Sequence, residues 1–262
     1  MTALATDPAG TAGTPGTPAP HRTTHRIVAA ARLHAANPWQ TLLMPWMIYT
    51  AIFAGTAGIY WLVMTYGNLE AQTDQEGGVN GGASWVLIYM MVMMVQAMNR
   101  TFRFALGMSL TRREYYLGTV AYFLTLAVGY ASAFTALAAI ERATDGWGLT
   151  LQFFAPMPLN TESLAAIWIT WVALFALFMA IGAAVATIYV RWAATGLVTF
   201  FIALAAVIIG VIWVMVATSA GTHFVDWATR TTMATAALWS LPLSALWLAA
   251  GYVNLRRAGA RN

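Results

Sequence analysis

The chain has 262 residues, 60% of them hydrophobic and 8% charged, with a net charge of +4 and a mean hydropathy of +0.66. So little polar surface excludes a water-soluble globule and places the chain in a lipid bilayer. All 13 basic residues are Arg and there is no Cys, which excludes a Walker A phosphate loop, a Lys Schiff base, thiolate chemistry and disulfides.

Residues 1–24 open with a Pro/Gly/Thr-rich run without an apolar signal-type core, which predicts a disordered cytoplasmic leader. His21 and His25 are four residues apart but have no carboxylate nearby, so they read as solvated side chains rather than metal ligands. Residues 25–40 set Ile27, Val28, Ala31 and Leu33 against Arg26, Arg32 and His34. That pattern predicts an amphipathic elbow helix in the headgroup plane, with Trp39 and Trp46 as interfacial anchors.

Six apolar runs follow, near residues 41–65, 84–104, 117–140, 163–190, 194–217 and 232–253. Each comes close to or exceeds the roughly 20 residues that cross about 30 Å of hydrocarbon as a helix. They are too long and too uniformly apolar for alternating barrel strands. The prediction is an all-α, polytopic fold with six transmembrane helices over residues 41–254 and a short tail over 255–262. Pro45 and Pro242 each remove a backbone donor, so kinks or shifted helix ends are expected there.

With the N-terminus inside, every Arg except Arg142 and Arg230 falls on the cytoplasmic side, which puts both termini there. The basic balance thus reports topology and gives no support for a nucleic-acid partner. The middles of the spans carry no Asp, Glu, His or Arg, the usual apparatus of proton relays. Gln96 and Asn99 share a face of the second span, where interhelical hydrogen bonding is their simplest role. Beside them, soft Met side chains could line an adaptable apolar route, so Met91, Met94, Gln96, Met98 and Asn99 are candidates for a substrate path.

On the outer side, residues 66–83 contain EGGVNGGA and read as a mobile loop. Residues 141–162 contain GWGLTLQFFAPMPL, apolar but broken by Gly and Pro, and are expected to cap the bundle or lie on the outer leaflet. Phe224 and Trp227 predict an interfacial turn before the last span.

Between the second and third spans lies ALGMSLTRREYYLGT, residues 105–119. Gly107 suits a helix C-cap, and Thr111 with Glu114 three residues on makes a capping box for the next helix. Arg112 and Arg113 would then stand in the first turn of that helix, where the macrodipole disfavours cations. Their placement points to phospholipid headgroups, an acidic groove on a partner, or positive-inside targeting alone.

This string resembles the cytoplasmic loop of bacterial ABC type-2 transporter permeases, matching at Gly107, Thr111, Arg112, Arg113, Tyr115, Tyr116, Gly118 and Thr119. It departs at Ser109, where a second Gly is often found. The resemblance implies a multi-pass subunit of the bacterial cell membrane that has no ATPase site of its own. Such a subunit pairs with a second permease subunit, identical or related, and docks two cytoplasmic ATPase subunits that bind ATP and Mg. Residues 105–117 would be the coupling element, with Arg112, Arg113 and Glu114 in polar contact with the ATPase and Tyr115 and Tyr116 packed below. Export of an amphiphile such as an antimicrobial peptide, a drug or a lipid would follow. A channel, a lipid-acting membrane enzyme and a peptide-sequestering immunity protein remain alternatives, although no polar pore ring or rim cluster of His and carboxylates is visible.

Overall fold

The computed structural model describes residues 20–36, 38–66 and 82–257. Residues 1–19 of the expected leader (1–24), residues 67–81 of the expected mobile loop (66–83) and residues 258–262 of the expected tail (255–262) lie outside the described residues, whereas residues 20–24, expected in the leader, already belong to the first helix. Among the described residues the chain is helical, without strands. The elements are α1 (Pro20–Ala35), a π-helical turn (Trp39–Leu43), α2 (Met44–Tyr66), α3 (Gly82–Gly107), α4 (Arg112–Ala143), α5 (Leu164–Ala217), α6 (Ala220–Arg230), α7 (Met233–Leu238) and α8 (Ser240–Arg257). Among the described residues four helical stretches are long and apolar enough to cross a membrane: Trp39–Tyr66, Arg112–Ala143, Leu164–Ala217 and Met233–Arg257.

The effect of Pro45 can be followed bond by bond. Met44 N–H bonds back to the Trp39 carbonyl, five residues earlier, which leaves the Gln40 carbonyl without its helical donor. Pro45, with no N–H, orphans the Thr41 carbonyl in the same way. Tyrosines from neighbouring helices fill both gaps: Tyr89 donates to the Gln40 carbonyl and Tyr130 to the Thr41 carbonyl, each at 2.9 Å. The kink therefore fastens the start of α2 to α3 and α4. Pro242 acts at the other end of the chain, where α7 stops at Leu238 and α8 restarts at Ser240.

At 54 residues α5 would be about 81 Å long if straight, far more than one bilayer crossing needs. It is broken at Ala193, whose φ of 54° and ψ of −147° are not helical. A Cβ built on Gly196 would sit 3.3 Å from Ile188 Cγ2, eight residues earlier, a span of about 12 Å along an unbroken helix. The chain turns back on itself here. Its first limb carries the small residues Gly182, Ala183, Ala184 and Ala186, all buried, and packs along α3, α4 and α8. A Cβ on Gly182 would meet the Met91 carbonyl oxygen at 2.6 Å, so the missing side chain is what lets α3 and α5 touch.

The loop after α4 caps the bundle, with Leu151, Phe153, Phe154 and Ala155 buried. The expected turn at Phe224 and Trp227 is a full helix, α6, whose residues are almost all exposed and whose two rings sit 5.8 Å apart.

Candidate functional site at the α3–α4 turn

The turn that joins α3 to α4 is built from two interlocking caps. α3 stops in a Schellman arrangement: Ser109 N–H bonds to the Leu106 carbonyl at 3.0 Å and Leu110 N–H to the Ala105 carbonyl at 3.2 Å. The left-handed residue that this motif requires is Ser109, at φ 59°, not Gly107 as the sequence suggests. Gly107 is the last helical residue of α3, exposed and with open space around it. Leu110 and Ala105, both buried, make the apolar contact that accompanies such a cap. α4 then starts on the predicted capping box, with Glu114 N–H on Thr111 Oγ1 at 3.2 Å and Thr111 N–H on Glu114 Oε2 at 2.9 Å.

The elbow helix joins this turn. Arg26 of α1 pairs with Glu114 Oε1 at 3.2 Å, and its guanidinium also donates to the Ser109 carbonyl. One side chain thereby holds both caps. Glu114 is 7% exposed with both carboxylate oxygens engaged, whereas Arg26 is partly solvated, which keeps this ion pair modest in strength.

The close packing of α1 on α4 explains Gly118. A Cβ there would lie 2.6 Å from both Ala30 Cβ and the Ile27 carbonyl oxygen, so only glycine lets the two backbones meet. Ala30 is fully buried in that seam. His34 is buried in it as well, which corrects its placement on the polar face of the elbow. Its Nε2 is 2.9 Å from Thr119 Oγ1, and its ring stacks on Tyr122 with centroids 5.7 Å apart. Thr119 spends its own proton on the Tyr115 carbonyl, so its oxygen accepts from the His34 Nε2–H. Burial lowers the His34 pKa from 6.5 to about 4, and the ring stays neutral at physiological pH. A histidine flanked by Leu33 and Ala35 at helical spacing from Ile27 and Ala30 was the signal available in the sequence.

The remaining residues of the motif divide by exposure. Tyr115 is fully buried, its hydroxyl 2.7 Å from Thr101 Oγ1 and 3.2 Å from the Met98 carbonyl. Tyr116 donates to the Leu248 carbonyl at 2.7 Å, beneath Gly251, where a Cβ would crowd its hydroxyl. Arg112 donates to the Arg256 carbonyl at 3.0 Å, and so caps the C-terminus of α8. Its macrodipole partner is a helix distant in sequence, which makes its position favourable rather than costly. Arg113 is exposed and makes no hydrogen bond or ion pair among the described residues. Also exposed at the end of α3 and in the turn are Arg100, Arg103, Phe104 at 60% and Met108 at 53%.

The proposed path residues lie on α3. Met94 and Met98 are packed inside the chain and Met91 is half-buried, its backbone carbonyl against Gly182. Gln96 and Asn99 are half-buried, and Asn99 Oδ1 is enclosed without a hydrogen-bond partner among the described residues. No three metal-ligating side chains come together among the described residues.

Compared with known proteins, the chain matches no family model, no curated protein and no solved structure.

Proposed function

We propose that this chain is the membrane-embedded permease subunit of an ATP-driven exporter in a bacterial cell membrane, taking its work from a separate cytoplasmic ATPase. The observation that carries this reading is the α3–α4 turn: a doubly capped, rigidly buttressed knob that presents Met108, Phe104, Arg103 and Arg113 outward. Cations and exposed apolar side chains on one rigid knob suit an apolar groove rimmed by carboxylates. The buttress also suits force transmission. Glu114, Tyr115, Tyr116, Gly118 and Arg112 tie the knob to α1, α3 and α8, so a push on the knob moves four helices together.

Six crossings with both termini in the cytoplasm follow if the two limbs of α5 count separately and α3 is included. At 26 residues α3 would be about 39 Å long, enough to span. One bundle of six such helices encloses little space, so a pair of permease subunits, flanked by two ATPases, is the natural assembly. Amphiphiles such as peptides, drugs or lipids are the cargo class that an apolar interior would accept.

The test is capture. Tagged chain purified from its native membranes should carry Mg-dependent ATPase activity, and a photo-crosslinker at Met108 should join it to that ATPase. Arg103→Glu with Arg113→Glu should lower the co-purified activity at least about tenfold, since like-charge contacts at an interface cost several kcal/mol. Full retention of ATPase by a well-folded double variant overturns the proposal.

A further inference from the structure

The end of the bundle where α4 finishes is closed by a segment whose backbone donors gather on one carboxylate. Glu141, in the last turn of α4, is 4% exposed. Its Oε2 accepts from the N–H groups of Phe153 at 2.8 Å and Phe154 at 3.1 Å and from Trp147 Nε1 at 3.2 Å, while Oε1 faces the Ala155 N–H at 3.4 Å. The next residue, Arg142, donates to the carbonyls of Leu159, Asn160 and Glu162. Two adjacent side chains of opposite charge thus take the two halves of the loop, one collecting its donors and the other its acceptors.

The segment held this way is a wedge. The Phe153 ring lies 5.1 Å from Tyr49 and 5.2 Å from Phe53 of α2, and Phe154 lies 5.9 Å from Phe134 of α4. Trp171 of α5 donates its indole N–H to the Phe154 carbonyl at 3.3 Å. The first turns of α2 also meet α4 directly, Trp46 stacking on Tyr130 at 5.6 Å and Tyr49 on Phe134 at 4.8 Å, and further along α2 it is Phe53 that meets the wedge. The approach to the wedge is strained: Asp145, Trp147 and Thr150 hold φ values of 53°, 62° and 51°, in the left-handed region that side chains disfavour. Such a loop keeps its shape only while its surroundings impose it, and Glu141 supplies the acceptors for four of its donors, beside the carbonyl contacts of Arg142 and Trp171.

We propose that residues 144–163 form a latched plug between α2 and the α4–α5 pair, with Glu141 as the latch, and that release of the plug opens the outer end of the export route. The opening step rests on the transport reading above, whereas the latch itself does not. Glu141 serves as a positioning residue whose carboxylate decides between a seated and a displaced plug. Tyr49 holds the plug through its ring alone, against Phe153 and Phe154, since its buried hydroxyl has no hydrogen-bond partner among the described residues.

The absence of native cysteine makes the plug directly readable. Ala155→Cys, 1% exposed in the seated plug, is placed in the full chain in lipid nanodiscs and treated with a charged maleimide. Labelling should be slow with Glu141 present and about tenfold faster with Glu141→Ala, which removes the acceptor of several charge-assisted hydrogen bonds. Glu141→Gln, which sets an amide N–H₂ against backbone donors, should fall between them. If Glu141→Ala loses its helical circular dichroism, Glu141→Gln decides by the same criterion. Equal labelling with and without the carboxylate overturns the latch. In a further arm, the co-purified ATPase and Mg-ATP should speed labelling of the chain with Glu141 intact. Failure of that arm alone, with the Glu141 effect present, refutes the opening step and leaves the latch standing.

Discussion

Gly118→Ala is the sharpest probe of how α1 is seated. The new methyl carbon would stand 2.6 Å from the Ile27 carbonyl oxygen and from Ala30 Cβ, about 0.8 Å inside ordinary contact at 3.4 Å, and 3.0 Å from Ala31 N. Two of these neighbours are backbone atoms, so no rotamer change relieves the clash and α1 itself must back away. Overpacking of this kind costs about 1–3 kcal/mol, against a gain of up to about 1 kcal/mol from replacing a mid-helix glycine. Gly129→Ala supplies the control, because it lies in the same helix with nothing within 4 Å of its Cβ and should show only the gain. The two variants should differ by about 1–3 kcal/mol, a shift of roughly five- to 150-fold in the docking equilibrium of α1. Trypsin reads this at Arg26 and Arg32, which are cut when α1 undocks, and the cleavage rate follows the undocked population when reclosing is fast. Equal cleavage of Gly118→Ala and Gly129→Ala, with equal unfolding temperatures, would refute the close-contact explanation.

Ser109→Gly and Ala193→Gly should each raise the unfolding temperature in detergent, by the equivalent of about 1 kcal/mol or more, because both positions hold positive φ with a Cβ present; a lower temperature for either would contradict the turn geometry. The seating of α1 should weaken in acid. The folded His34 pKa of about 4 lies below the unfolded 6.5, so the unfolded form binds more protons in that window, and about 3 kcal/mol that is present above pH 6.5 is lost as pH falls toward 4. The unfolding temperature in detergent, measured against pH, should fall over this window, and His34→Phe should flatten the profile between pH 6.5 and 4. Arg112→Gln should cost about 0.5–1 kcal/mol in thermal stability by uncapping α8, whereas Arg113→Gln should leave stability unchanged within about 0.5 kcal/mol.

The amino-acid sequence alone determined what local physics can determine. Apolar run length gave helices, Thr111 and Glu114 gave the start of α4, Pro45 and Pro242 marked the kinks, and the Gly- and Pro-broken apolar stretch after α4 excluded a helical crossing there while leaving a cap and a leaflet-bound loop both open. These features depend on neighbours within a few residues. What only the tertiary structure decided are pairings across the chain. His34 meets Thr119 and Arg26 meets Glu114 more than 80 residues away, Arg112 caps a helix 144 residues on, and Glu141 gathers a loop that doubles back over it. Amphipathic patterning states that one face of α1 is apolar, but a bilayer and another helix satisfy that face equally well. The choice fell to α4 because Gly118 lets the backbones close and Thr119 offers an acceptor to a histidine that the seam must bury.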